Sequence, residues 1–152
     1  PSGTIIVTDA LVHLLNDDEL AAVFAHEIAH IDQRHGVRLV LQNSGVFIVI
    51  GTLLGDINSL SGMAGTLPMV LIGSGYSREF EAEADLAAAR YLLATRGTTA
   101  PMRSALARLL DNAANASMPY LSSHPETEER IEALLEFEKN HKPLSAGRTS
   151  DD

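Results

Sequence analysis

The chain has 152 residues, of which 45% are hydrophobic, so it is long enough to bury one good core. Its net charge of -9 argues against a surface that binds nucleic acid, because binding of phosphate groups requires clustered lysine and arginine. Cysteine is absent, which excludes disulfides and cysteine-ligated metals and leaves the cellular compartment open. We expect one domain over residues 1–142, followed by a disordered tail or linker over 143–152.

The first predicted element is a β-strand over Thr4–Thr8, and it is the only segment that reads clearly as strand. The later patterned segments are helical, so we predict an α+β fold that is mainly α-helical with a small edge sheet. The first strong helix is predicted to begin at Asn16, which can form a capping box with Glu19. Apolar residues then follow at helical spacing, namely Leu20, Val23, Phe24, Ile28 and Ile31.

This amphipathic helix carries the sequence His-Glu-Ile-Ala-His at residues 26–30. Two imidazoles four residues apart point the same way, so His26 and His30 can hold one metal ion, and zinc is the metal that suits them. Glu27 lies between them, where it can reach a metal-bound water without being a ligand, as a general base must. The alternative is a pair of buried histidines with ordinary hydrogen-bond partners.

Residues 45–73 contain two apolar stretches separated by a turn rich in serine and glycine. Neither stretch is long enough to span a bilayer, which takes about 20 residues. One interpretation is a buried helical hairpin. The other is a mobile flap over the site or a surface that makes peripheral membrane contact, because the segment is rich in glycine.

A zinc hydrolase needs a third protein ligand and an open position for water. A second helix is predicted over residues 77–97, with acidic residues in its first turns, and Glu79, Glu81 and Glu83 compete for the role. Glu81 and Asp85 share one face, so Glu81 can bind the metal while Asp85 holds the far nitrogen of a ligating histidine. Spacing alone favours Glu81 only modestly, since acids at a helix start commonly form a solvated cap.

Two further helices are predicted, one starting at Thr99 and one over Thr127–Lys139. His124 lies between them, before Pro125, where the chain is biased to an extended conformation. On the sequence alone, His124 is either a loop histidine beside a helix start or a group near the metal.

The other histidines receive no catalytic role. His35 lies about 140° around the helix from His30, so it cannot easily share the same metal and is interpreted as structural. His13 and His141 stand in segments without a partner motif, and we interpret both as surface or core residues.

Three motifs in this order resemble those of the gluzincin zinc metallopeptidases of the CAAX-prenyl-protease, HtpX and BepA-like type. The resemblance runs almost from end to end and includes Gly3 to Leu11, Asp17 to Val23, His26 to His30, Arg34-His35-Gly36, Arg78, Glu81, Ala84 and Asp85, Ser123-His124-Pro125, and Glu129-Arg130-Ile131 with Leu134. Members of this family usually carry strands and helices before the point that matches Pro1. The resemblance therefore implies that this chain is the catalytic part of a longer protein.

The resemblance implies a zincin-like metallopeptidase domain, with the edge sheet beside the helix that carries His26. It implies one zinc ion per chain, held by His26, His30 and Glu81. Glu27 would be the general base, and Asp85 would support His26 from behind.

The third motif implies a role for His124 near the zinc, where it would stabilise the oxyanion formed when water attacks a carbonyl. In BepA-like members this histidine can instead occupy the fourth zinc position and keep the enzyme latent. The imidazole of His124 cannot stabilise the oxyanion and bind the zinc at the same time. Arg130 would be an orienting or anion-binding partner by the same match, although an arginine at that place is more often a surface charge.

The function implied is that of a zinc-dependent metalloendopeptidase that cleaves internal bonds of polypeptides, such as misfolded, membrane or envelope proteins, in the bacterial cell envelope. An extended substrate would pair with the exposed strand beside the metal helix. One alternative is a latent zinc-bearing chaperone or binding module, closed by His124. The other is a plain helical interaction domain with accidental motifs, which would bind no stoichiometric metal.

Overall fold

The computed structural model describes residues 3–42, 75–112, 120, 123–124 and 128–141. Five helices lie within these ranges: α1 (Asp9–Leu14), α2 (Asp17–Asp32), α3 (Arg78–Arg96), α4 (Ala100–Asp111) and α5 (Glu128–His141). Residues 35–42 are also helical. The prediction of a mainly helical fold is therefore confirmed. The predictions for residues 45–73 and 143–152 lie outside the described residues. None of the described helices is both long and apolar enough to cross a membrane.

The described part of the chain contains no β-strand, so the small edge sheet stays a prediction. Residues 3–7 run without regular structure before Thr8, and the side chain of Ile6 is 87% exposed. A strand is defined by ladder hydrogen bonds to a neighbour, and no second strand lies beside this segment within the described ranges. The segment ends where Oγ1 of Thr8 accepts a hydrogen bond from the N–H of Leu11 at 3.3 Å, which caps α1.

Helix α2 begins as its capping residues predict. Oδ1 of Asn16 accepts hydrogen bonds from the N–H groups of Asp18 and Glu19, each at 3.0 Å. Oε2 of Glu19 accepts one from the N–H of Asn16 at 2.9 Å, so the predicted capping box is present. The box fixes where α2 starts and thereby which of its residues face the core.

Helix α3 also has the predicted ends. Its first turn is capped by Ser77, whose Oγ accepts a hydrogen bond from the N–H of Phe80 at 3.3 Å. It stops at Gly97, which has a φ of 70° and so lies in the left-handed region that glycine adopts without strain.

The core is formed where α2 packs on α3 and α4, and where α5 packs across α3 and α4. Its two clusters of buried side chains are Ala22, Ala89, Leu92, Met102, Leu106 and Leu134, and Leu11, Leu15, Val23, Ala105 and Leu109. Most buried apolar residues of α2 and α3 are alanines, which allow two helices to approach closely. This packing turns the histidine face of α2 towards the acidic face of α3.

Helix α5 is fixed to α4 by a buried carboxylate. Thr99, at the start of α4, makes no capping hydrogen bond with its own side chain. Instead, Oε2 of Glu138 accepts hydrogen bonds from the N–H and the hydroxyl of Thr99, both at 2.8 Å. A residue of α5 therefore caps α4, and this contact sets the position of α5 against the rest of the fold.

Helix α2 is joined to α4 by a second buried carboxylate, that of Glu19. Its Oε1 accepts hydrogen bonds from Oγ of Ser104 at 2.5 Å and from Nε of Arg108 at 2.9 Å. Burial alone would raise the pKa of Glu19, but these hydrogen bonds and the one from the Asn16 N–H lower it below 4.5. The ionised form is thus stabilised by folding.

We expect Glu19→Gln to lower the free energy of unfolding by about 1–3 kcal/mol near neutral pH, because the buried hydrogen bonds lose their charged acceptor. The folded pKa lies below the unfolded value of 4.5, so this stability is present above that pH and is lost as the pH falls through the folded pKa. Urea unfolding of both proteins over a pH series measures the difference. The control is Asp17→Asn, an exposed residue of the same turn; equal losses in the two variants would contradict the assignment.

Candidate metal centre

The two predicted motifs meet at the contact between α2 and α3. His26 and His30 lie one turn apart on α2, are 0% and 3% exposed, and bring their Nε2 atoms within 2.9 Å of each other. Glu81 of α3 is buried opposite them. Its Oε2 lies 3.3 Å from Nε2 of His26, and its Oε1 lies 3.5 Å from Nε2 of His30. Each of the three predicted ligands therefore offers an atom to one common point.

His124 joins this group from the segment between α4 and α5. Its Nδ1 lies 3.0 Å from Oε1 of Glu81. Its backbone N–H donates to the carbonyl of Tyr120 at 3.0 Å, and its ring stacks on the Tyr120 ring with centroids 4.6 Å apart. Four residues, His26, His30, Glu81 and His124, thus offer ligand atoms that all lie within 4.8 Å of one another.

The donors fit a zinc ion. Imidazole nitrogens with one carboxylate oxygen form a typical zinc set, and Zn–ligand bonds of about 2.0–2.1 Å put the corners of a tetrahedron about 3.3 Å apart. The closest donor pairs of the cluster lie between 2.9 and 3.5 Å, which brackets that value. Oε2 of Glu81 is buried without a well-directed hydrogen bond in the described part of the chain. It also lies 2.9 Å from Nη1 of Arg130, so a metal ion would share this oxygen with the guanidinium.

Asp85 and Arg130 lie behind the donors. Nε and Nη2 of Arg130 each donate to one oxygen of Asp85 at 2.7 Å, and Nη1 lies 2.9 Å from Oε2 of Glu81. Oδ1 of Asp85 lies 2.9 Å from Nδ1 of His26, close enough for an ion pair but off the line of a straight hydrogen bond. The guanidinium thus contacts the carboxylates of both Glu81 and Asp85, and Asp85 contacts the far side of His26 as predicted for a supporting carboxylate.

The electrostatics of the centre favour ionised carboxylates. Burial alone would raise the pKa of Glu81, but its contacts with His124, His26 and His30 lower it well below the usual range. Burial would also raise the pKa of Asp85, yet the hydrogen bonds of Arg130 and the contact with His26 lower it. Two buried negative charges therefore face the imidazoles, which is an arrangement that attracts a cation.

These surroundings shift the pKa values of His26 and His30 in opposite directions. Burial alone would lower the pKa of His26, but the Asp85 and Glu81 carboxylates raise it to about 9. Burial lowers the pKa of His30, which favours the neutral imidazole. A neutral ring is the form that binds a metal, so a metal ion at this point would have to displace a proton from His26.

Glu27 lies at the edge of the centre, with a side chain that is 20% exposed. Its Oε1 lies 3.5 Å from Nε2 of His124. Glu27, His30, Tyr76 and His124 all line a cleft of about 490 Å³, and residues 3–8 form another wall of it. An extended ligand in this cleft would lie against both Glu27 and the metal donors.

The competing carboxylates lie elsewhere. Glu79 is exposed, and Oε2 of Glu83 contacts Arg38 and His35. Neither belongs to the donor cluster, so the geometry favours Glu81 among the three candidates.

Two residues of the centre were not predicted to lie there. The ring of Tyr76 stacks on that of His30 with centroids 4.1 Å apart, and no pattern in the sequence marks this tyrosine. His35 is fully buried, and its Nδ1 lies 2.8 Å from Nδ1 of His30. The signal that could have found it is its position only five residues after a predicted ligand.

Comparison with known proteins places the chain among the metallopeptidases. The sequence profile of peptidase family M48 matches residues 1–138. The chain therefore belongs to this family, whose members are metal-dependent peptidases.

Named relatives agree with this. The chain is 30% identical over 145 residues to a putative beta-barrel assembly-enhancing protease of Vibrio cholerae. This match spans 88% of the chain and 30% of that protein. It is 30% identical over 162 residues to the beta-barrel assembly-enhancing protease of Escherichia coli, a match that spans 98% of this chain and 33% of that protein. It is 33% identical over 88 residues to the metalloprotease LoiP of Escherichia coli, a match that spans 55% of this chain and 35% of that protein. The chain thus spans about a third of the length of these relatives. No solved structure gives a significant match.

We expect Arg130→Met to lower the free energy of unfolding of the metal-free protein by about 3–5 kcal/mol, because Asp85 and Glu81 lose their shared buried counter-ion. Zinc should recover part of this loss, since a ligand that binds only the folded state adds stability. Urea unfolding with chelator and with excess zinc measures both effects. Arg90→Met, at an exposed position of α3, is the control and should change stability by no more than about 0.5 kcal/mol. Similar small losses in both variants would show that Arg130 does not neutralise the centre.

Proposed function

We propose that this chain is the catalytic part of a zinc-dependent metalloendopeptidase that hydrolyses internal peptide bonds. The observation that carries the proposal is the convergence of His26, His30 and Glu81 on one point, with Glu27 beside it on the wall of a cleft. Membership of a peptidase family supports the reaction class. The donor set supports zinc, with one ion per chain.

A bound zinc ion supplies Lewis-acid activation of water and of the scissile carbonyl. Every other part of the reaction falls to side chains. Glu27 would take a proton from the attacking water, because its carboxylate lies 3.5 Å from the His124 ring without belonging to the donor cluster. It then passes the proton to the leaving amine nitrogen, which prevents the amine from returning to the carbonyl.

His124 would stabilise the negative charge that develops on the carbonyl oxygen. Its imidazole lies within reach of both the donors and Glu27, and it is held between the rings of Tyr76 and Tyr120. Arg130 acts at one remove by fixing Asp85, and Asp85 in turn fixes the ring of His26.

The cleft suits an extended polypeptide. Its wall at residues 3–8 is irregular backbone, so a substrate strand could pair with it and be recognised with little side-chain selectivity. We propose misfolded, membrane or envelope proteins as substrates and the bacterial cell envelope as the location, since relatives with matching sequences are named beta-barrel assembly-enhancing proteases. Peripheral membrane contact through residues 45–73 is part of the same proposal.

A second function is favoured by one observation. His124 belongs to the donor cluster, so it can fill the fourth corner around a metal and exclude the water. The chain would then be a latent zinc-bearing module with a chaperone or binding role, and it would hold metal without turnover.

We expect Glu27→Gln to keep one zinc per chain and to lose casein hydrolysis by about two to four orders of magnitude, because it removes the general base alone. Metal analysis and protease assay of the same samples test this. Glu81→Ala is the contrasting variant and should lose both metal and activity. Peptidase activity in zinc-loaded Glu27→Gln would overturn the assignment of the base.

We expect His124→Ala to lower kcat by about a hundredfold to a thousandfold, the usual cost of losing one oxyanion donor. Zinc content should stay at one per chain. An increase in activity would instead show that His124 closes the site, which would favour the latent form. Steady-state kinetics with a quenched fluorescent peptide distinguishes the two outcomes.

A further inference from the structure

His35 makes a contact that none of the proposed catalytic roles uses. The residue is 0% exposed, yet it carries a polar ring, and its Nδ1 lies 2.8 Å from Nδ1 of His30. That nitrogen of His30 is the one that points away from the metal donors, since Nε2 faces Glu81 and His26. The contact therefore lies directly behind a proposed ligand.

The partners of His35 determine the direction of this hydrogen bond. Its Nε2 lies 3.1 Å from Oε2 of Glu83, and an ionised carboxylate can only accept. Nε2 of His35 must therefore carry the proton and donate it. In the neutral ring Nδ1 is then the acceptor, so Nδ1–H of His30 donates to it. His30 is left with a free electron pair on Nε2, on the side of the metal donors.

Two further contacts hold the Glu83 carboxylate and the His35 ring in place. Nη1 and Nη2 of Arg38 donate to the two oxygens of Glu83 at 2.5 and 3.3 Å. The His35 ring stacks on the Phe80 ring, with centroids 4.6 Å apart and planes 10° apart. The guanidinium of Arg38 lies over the Phe80 ring, 4.5 Å from its centroid. The orientation of His35 is thus fixed on both its edge and its face.

The backbone explains how His35 reaches His30. On an uninterrupted helix the two side chains would point about 140° apart. Arg34, however, has a φ of 55°, in the left-handed region that non-glycine residues rarely occupy. This turn ends α2 and starts the helical residues 35–42 in a new direction, which brings His35 back against His30.

We propose that His35 is a positioning residue for the metal centre, which fixes the tautomer and ring plane of His30 and is itself fixed by Glu83 and Arg38. The inference rests on the proposed zinc site. It gives each histidine of α2 its own support. Asp85, which is held by Arg130, contacts Nδ1 of His26. His35, which is held by Glu83 and Arg38, contacts Nδ1 of His30.

Two substitutions at His35 separate positioning from packing. His35→Phe keeps a ring to stack on Phe80 but removes the acceptor for His30. His35→Asn removes the ring but keeps an amide oxygen close to the place of Nδ1. We expect zinc affinity, measured by chelator competition, to fall about tenfold to a hundredfold in His35→Phe and to be largely kept in His35→Asn. The visible absorption of the cobalt-substituted protein should change shape in His35→Phe only, because the ligand field follows the orientation of His30.

Glu83→Ala and Glu79→Ala form a matched pair for the second step. Both remove one carboxylate from the first turns of α3, but only Glu83 contacts His35. We expect Glu83→Ala to weaken zinc binding and Glu79→Ala to leave it unchanged. If His35→Phe does not fold, as judged by thermal unfolding of the metal-free protein, this pair decides the question.

Four results would overturn the inference. Wild-type affinity in His35→Phe with weakened binding in His35→Asn would show that the ring serves packing. Equal weakening in Glu83→Ala and Glu79→Ala would show an effect of charge alone. Absence of stoichiometric zinc from the wild-type protein would overturn the proposed function together with this inference, whereas zinc in the wild type and in every variant with equal affinity would overturn the inference only.

Discussion

The rest of this structure depends on the neutralisation of two carboxylates buried between α2, α3 and α5. Glu81 and Asp85 lie in the interior, where an unpaired charge would cost more than the fold could tolerate. The fixed positive group among their described partners is Arg130, so α5 must lie where its guanidinium reaches both. The position of α5 is set at its other end, where Glu138 caps α4. A helix-capping contact far from the metal donors therefore helps to hold the counter-ion of the site.

The same arrangement explains why these side chains suit catalysis. A protein can bury a histidine as a core residue, but here each histidine of α2 presents Nε2 to the donor cluster and has its Nδ1 occupied from behind. Rings held in this way lose little conformational freedom when a metal binds, so less binding free energy is spent on ordering. Glu27 lacks such support and borders the cleft, which suits the proton transfer proposed for it.

The sequence predicted the elements whose signals are local. The start of α2 at Asn16 and the end of α3 at Gly97 follow from capping chemistry within a few residues, and both agree with the structure. The strand over Thr4–Thr8 could not be settled in this way, because a strand depends on a neighbour that a local pattern does not contain. The contact of His35 was missed for a different reason: the angular argument assumed a continuous helix, and the backbone turns at Arg34. Tyr76 had no signal, since ring stacking depends on tertiary packing.

The alanines buried on α2 and α3 have a consequence for the choice of metal. These residues are Ala22, Ala29, Ala84, Ala88 and Ala89. Small side chains allow two packed helices to approach closely, and a close approach would keep Glu81 within reach of His26 and His30. Small tetrahedral ions fit such spacing, whereas larger ions such as calcium need longer bonds and more oxygen ligands. The alanine side chains, which have no atom that can bind a metal, would thus help to determine the size of the ion that fits the site.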